Sequence, residues 1–152
     1  TVEHLPTAFT EGDSREARAA MAEGSYMAGL ALGSARLGAV HGLAHPVGLC
    51  YGLAHGVVCG VLMPPVLRSN IRAAPEKGEA LRAAMGGDPV QVFCAMLDRL
   101  DLPRTLGHYP DETWEREVVA YAVGSGSGKA NPTPVDEAYV RSVLAEVCRG
   151  PA

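Results

Sequence analysis

The chain has 152 residues, 47% of them hydrophobic and 20% charged, the size and composition of one soluble globular domain able to bury roughly 70% of its unfolded surface. Thirteen basic residues against seventeen acidic ones give a formal net charge of -4, which removes the electrostatic reason to expect nucleic acid or an anionic membrane surface as a partner. Four cysteines, Cys50, Cys59, Cys94 and Cys148, form no C-x-x-C pair and are too few for a disulfide scaffold, so they read as buried thiols in a reducing cytosol.

Residues 1–9 carry Glu3, His4 and Pro6 and no basic stretch followed by an apolar one, so no secretory signal is visible and a cytoplasmic location is expected. Residues 16–37 are rich in Ala, Met, Leu and Glu. Ala20, Met27, Leu30, Ala31 and Leu37 recur at roughly helical spacing, which predicts an amphipathic helix capped by Asp13 or Ser14.

The next stretch, 37–67, holds no Asp, Glu, Lys or Arg, and by length alone it satisfies the rule for a membrane span. Its glycines and prolines, with His41, His45 and His55 inside the apolar run, argue instead for buried helices lining a site. One helix is expected over 40–44 and another over 54–63, ended by Pro64 and Pro65.

Further along, 75–85 reads as a short charged helix. Asp88 with Pro89 starts another through Leu100, and Asp111 begins one through Val123. Residues 124–129 invite comparison with a phosphate-binding loop, but the spacing is one residue short, Ala130 replaces the required hydroxyl, and a helix precedes them; a flexible interhelical connection ending at Asn131-Pro132 fits better. Trp114 and Tyr121 read as core or edge packing. Thr133 as N-cap, Pro134 at the first helical position and Asp136 open a last helix to Cys148. Strand patterns are scarce, and the count is seven helices in an all-α fold.

Three of the five histidines fall within fifteen consecutive positions. His41 and His45, four apart, project from one helix face, and the turn residues Pro46, Gly48 and Gly52 allow two segments to bring His41 and His55 together. These imidazoles are either metal ligands or hydrogen-bonded core residues. A four-ligand zinc site of His41, Cys50, His55 and Cys59 can be drawn, but it matches no standard spacing, and Cys59 reads more simply as a small apolar residue of a buried helix.

The run from Ala39 through His41, His45 and Pro46 to Gly48, then Ala54-His55-Gly56-Val57, Val61-Leu62-Met63-Pro64 and Val66-Leu67-Arg68-Ser69-Asn70, resembles the second signature of the iron-containing (group III) alcohol dehydrogenases. The likeness extends through Leu102-Pro103-Arg104-Thr105 and Asn131-Pro132-Thr133-Pro134, in the order and spacing of that family's helical C-terminal domain.

The resemblance implies an all-helical bundle of the dehydroquinate synthase-like α-domain type. It implies metal ligation by His41 and His55, and a place for His45 in the cleft near nicotinamide and substrate, as a proton relay. By the same resemblance the ion is Fe2+ or Zn2+, and the substrate is a small alcohol, aldehyde or ketone. The family adds an N-terminal dinucleotide-binding domain with a glycine-rich loop, and an aspartate and a further histidine as ligands.

Only forty residues precede His41, with no Asp-x-x-x-His pair and no strand-then-glycine pattern. The expectation is one domain over 1–152 that is a fragment or subunit, obtaining NAD(P) from a nucleotide-binding partner domain or subunit, and associating through its open cleft wall as a heteromer or homo-oligomer. The alternatives are a freestanding descendant using its histidine cleft for cofactor-independent chemistry on a small carbonyl compound, and a non-enzymatic helical module.

Overall fold

A computed structural model describes residues 2–108 and 111–149. Among them the chain forms eight α-helices and one 3-10 turn, with no strand: α1 Leu5–Thr10, α2 Arg15–Ala35, α3 Ala39–Tyr51, α4 His55–Ala73, α5 Pro75–Met85, α6 Pro89–Arg99, α7 Glu112–Gly124, the 3-10 turn Gly126–Ala130 and α8 Glu137–Arg149. The all-α expectation holds. The count differs because α1, too short to show a period, begins at Pro6-containing sequence that gives little helical signal.

The core is built by α3, α4, α7 and α8. Val40, Leu43, Ala44 and Val47 of α3 meet Val58, Val61, Leu62 and Val66 of α4, Val118, Val119 and Ala122 of α7, and Val140, Val143, Leu144 and Val147 of α8. Each set recurs every three or four residues, the spacing that puts one apolar stripe on a helix. Helices α5 and α6 pack on the outer side of α4. There α4 and α6 come close: a Cβ at Gly60 would lie 3.1 Å from Leu97 Cδ2.

Three expectations are corrected. The helix expected over 40–44 runs on through Pro46 to Tyr51, and α4 passes straight through Pro64 and Pro65 to Ala73. Interior prolines each forgo a backbone bond and cost about 3 kcal/mol. Here Pro64 and Pro65 are themselves buried, as are Val61, Leu62 and Val66 of the same helix, and tertiary burial outweighs the local penalty. The apparent membrane segment 37–67 is thereby divided among α3, a reversal and α4, and among the described residues no helix is long and apolar enough to cross a membrane.

The second correction concerns α2. Ser14 caps it, its Oγ accepting from Ala17 N–H, but its apolar residues are not covered: Tyr26, Met27 and Leu30 are 70%, 62% and 62% exposed, and only Ala17 of this helix is buried. Periodicity reveals an apolar face without saying what covers it. Third, α8 starts later than expected, with Asp136 accepting from Tyr139 N–H at 2.8 Å where Thr133 was expected to cap. The 124–129 connection is a 3-10 turn capped by Ser125, with Gly128 so close to Val135 that a Cβ would lie 3.1 Å from it; it is an ordered corner, not a phosphate loop.

Asn70 and Asn131, both in the quoted signatures, pair with each other through two reciprocal amide bonds of 3.0 and 2.9 Å. Asn131 Oδ1 also accepts from Ala39 N–H at 3.1 Å, and its Nδ2 donates to the Thr133 carbonyl at 2.7 Å. The N-cap of α3 is Gly38, which offers no side chain, so Asn131 caps α3 from ninety-two residues away. A Cβ at Gly38 would fall 2.9 Å from Asn131 Oδ1, which explains the glycine.

Replacing Asn131 removes the cap and strands the Asn70 amide. Asn131→Ala is expected to lower unfolding stability by about 1–3 kcal/mol, read from urea melts. A change within error of zero would mean that water replaces the clasp without loss.

Candidate metal centre

The site starts from the reversal between α3 and α4. Gly52 ends α3 with φ 63°, the left-handed conformation that glycine adopts without a Cβ clash. Leu53 N–H then donates to the Gly48 carbonyl at 3.2 Å. A Cβ at Gly48 would stand 3.4 Å from the Leu53 carbonyl oxygen, so the returning backbone passes close over this glycine. Leu53 and the extended Ala54 (φ -60°, ψ 140°) lead into α4, whose first residue is His55.

This path brings His55 back beside His41 in the first turn of α3: their ring centroids are 5.5 Å apart, with ring planes at 45°. The expected meeting of these two histidines is therefore present. Cys59, one turn along α4, joins them. Its Sγ lies 3.4 Å from His55 Nε2, and the ligand atoms of His41, His55 and Cys59 all lie within 4.8 Å of one another. Cys50 does not belong to this group; it is exposed and borders a separate groove.

The three histidines were expected inside buried surroundings. Instead the backs of α3 and α4 are buried while His41, His45 and His55 are exposed. On α3 the stripe Val40, Leu43, Ala44 and Val47 points to the core, and His41 and His45 occupy the complementary face. An open face leaves room for a substrate or a further donor.

Electrostatics favours neutral donors. Partial burial, with the His55 ring alongside, lowers the His41 pKa from its ordinary value, so His41 presents an imidazole lone pair at neutral pH. Burial raises the pKa of the Cys59 thiol. No carboxylate belongs to the group. Two imidazoles and a thiol in reach of one point form a donor set for a borderline or soft divalent ion.

His45 stands apart from the pair. Its ring faces Tyr121 of α7, with centroids 5.7 Å apart and planes at 34°. Tyr121 is half-exposed and Trp114 is half-buried, edge-on against Tyr51, in keeping with edge packing. Pro46, Leu49, Cys50, Trp114, Glu117, Val118 and Tyr121 line an open groove of about 420 Å3 between α3 and α7, beginning where the His45–Tyr121 pair ends. The sequence places Cys59 in a drawn four-ligand site with Cys50 but favours a small apolar core residue; the structure has it half-buried beside His55 and His41, with Cys50 elsewhere.

The family model for the C-terminal part of the Fe-containing alcohol dehydrogenase family matches residues 1–148. The chain is 34% identical over 151 residues to alcohol dehydrogenase 4 of Saccharomyces cerevisiae and 42% identical over 154 residues to 1,3-propanediol dehydrogenase of Klebsiella pneumoniae; each match covers 93% of this chain and 40% of the relative. An NAD-dependent methanol dehydrogenase of Bacillus methanolicus is 42% identical over 84 residues, 55% of this chain and 22% of that one. Among solved structures, a 1,3-propanediol oxidoreductase superposes with a TM-score of 0.88 at 28% identity over 96% of this chain and 42% of its own. The chain thus spans about two fifths of the length of these full-length matches.

The reversal that builds the site has a testable signature. Gly52→Ala places a Cβ in the left-handed region and is expected to cost about 1–2 kcal/mol. Gly56→Ala, inside α4 with nothing within 4 Å of the new methyl, is expected to gain about 0.5–1 kcal/mol. Denaturant melts that gave both changes the same sign would contradict this reading of the turn.

Proposed function

The chain belongs to the iron-containing alcohol dehydrogenase family, as its helical C-terminal domain, and on that premise we propose that it is the metal- and substrate-binding domain of an NAD(P)-dependent alcohol dehydrogenase or aldehyde or ketone reductase. The convergence of His41 and His55 on one open face carries this reading. A nucleotide-binding domain or subunit supplies the dinucleotide site, and the substrate is a small alcohol, aldehyde or ketone, in keeping with the names of the relatives, a methanol dehydrogenase and a 1,3-propanediol dehydrogenase.

His41 and His55 hold a divalent ion through ring nitrogens that the α3–α4 reversal has already brought together, so little ordering remains for binding to supply. When bound, the ion contributes Lewis acidity toward an alcohol or carbonyl oxygen, and the nicotinamide carries the hydride. His45 sits on the same helix face as His41 but turns to Tyr121. From there a ring nitrogen takes the hydroxyl proton during oxidation and returns it during reduction. The apolar groove along Pro46, Leu49 and Trp114 accommodates the carbon chain of a substrate and keeps water from one side of it.

Separate roles give separate phenotypes. His41→Ala and His55→Ala are expected to lose specific metal retention, measured by metal analysis after gel filtration. His45→Ala is expected to keep most of the metal and lose roughly 10²- to 10⁴-fold in turnover. Equal metal loss in all three variants would refute the assignment.

The division of labour between domains is tested by assay of the 152-residue chain with short-chain alcohols and aldehydes, loaded with Fe2+ or Zn2+. Nicotinamide turnover is expected only when a nucleotide-binding domain of this family is added, because orientation of the two reactants is worth about 7–11 kcal/mol of barrier. Robust turnover by the chain alone would overturn the need for a partner.

A further inference from the structure

We propose that Cys59 is a third protein donor to this metal centre, so that His41, His55 and Cys59 form a two-nitrogen, one-sulfur set that holds zinc or cobalt in preference to iron. The inference rests on the metal-binding reading of the two histidines and adds to it a donor and a metal preference.

Geometry is the first support. With Zn–N near 2.1 Å and Zn–S near 2.3 Å, the donors of a tetrahedral site stand about 3.3–3.6 Å apart. Cys59 Sγ and His55 Nε2 are already 3.4 Å apart. The whole set lies within 4.8 Å, and closing it requires a contraction on the order of 1 Å, within reach of side-chain rotation about χ1 and χ2.

Helix geometry is the second. His55 and Cys59 are one turn apart on α4 and stack on one face, so the helix that presents one donor necessarily presents the other. Among the described residues this is the one group of three His, Cys, Asp or Glu donors that converges. The other thiols lie elsewhere: Cys148 is buried with its Sγ 3.3 Å from Tyr51 Oη, and Cys50 borders the α3–α7 groove.

Three protein donors with an open position is the usual composition of a catalytic zinc site. A thiolate is a soft ligand that adds to the preference for zinc, whereas carboxylate and water donors suit harder ions. On coordination the thiol proton passes to solvent and no oxidation state changes. The remaining positions stay free for a substrate oxygen and for the aspartate and further histidine that the family resemblance implies.

The test is cobalt(II) titration of the reduced 152-residue chain, followed in the near-ultraviolet, where thiolate-to-cobalt charge transfer absorbs, and in the visible, where the ion's own d–d bands report its coordination. The wild-type chain is expected to show both, Cys50→Ala to match it, and Cys59→Ala and Cys59→Ser to lose the charge-transfer band. Zinc affinity is expected to fall at least 10-fold in Cys59→Ala, since removal even of outer-shell partners costs 10- to 100-fold, and the advantage of zinc over Fe2+ in competition is expected to shrink with it.

Bound cobalt with visible bands that depend on His41 and His55 but with no charge-transfer band, or a band that survives in Cys59→Ala, overturns the role of Cys59 and leaves the two-histidine centre standing. Cobalt uptake indifferent to His41→Ala and His55→Ala, or no uptake at all, overturns both.

Discussion

The packing of α3 against α4 is the constraint on which the rest of the site depends. Their apolar stripes, Val40, Leu43, Ala44 and Val47 on one helix and Val58, Val61 and Leu62 on the other, are almost wholly removed from water, and each buried aliphatic side chain contributes about 1.5–3 kcal/mol. A helix has only one opposite side. Once these stripes face inward, His41, His45, His55 and Cys59 must lie toward the open side or the flank, and their spacing of four residues sets them one turn apart. Donor convergence is thus a by-product of core formation, stabilised by far more energy than any contact within the donor group.

Backbone chemistry completes what packing begins. Gly52 takes a conformation that other residues pay for in strain, and Gly48 gives the returning chain room to pass. At the far end of α3, the Asn70–Asn131 pair closes the frame by binding Ala39 N–H. A single side-chain amide therefore links the start of α3, the body of α4 and the corner before α8. It is a reciprocally bonded polar network, the kind that specifies one arrangement among several similarly packed ones.

The open side of the molecule has a distinct character. The histidine face, the groove by Trp114 and Tyr121, and the apolar residues Tyr26, Met27 and Leu30 of α2 all meet solvent in this chain. A catalytic centre of the proposed kind needs access for two reactants, so an accessible donor face suits it. Exposed apolar side chains on a long helix that contacts chiefly α1 belong to the same open character.

The sequence by itself determined the helical class, the starts of α5, α6 and α7, and the placing of His41 and His45 on one helix face, because local start signals and four-residue spacing are short-range physics that survive without a partner surface; the meeting of His41 with His55, fourteen positions on, is allowed by the turn residues between them and made by the α3–α4 reversal. It also marked Asn70 and Asn131 as notable without indicating that they bond to each other, since a separation of sixty-one positions carries no distance information. Only the tertiary structure decided that α4 continues through Pro64 and Pro65, because the burial that offsets two missing backbone bonds comes from other helices. The same holds for α2, whose apolar stripe looked like a core face, and for the histidines, whose apolar neighbours in sequence point away from them in space. Cys59 is the sharpest case: on α4 alone it reads more simply as a small residue among valines, and the reversal at Gly52, by setting His41 across from it, selects it over Cys50 as the third candidate donor.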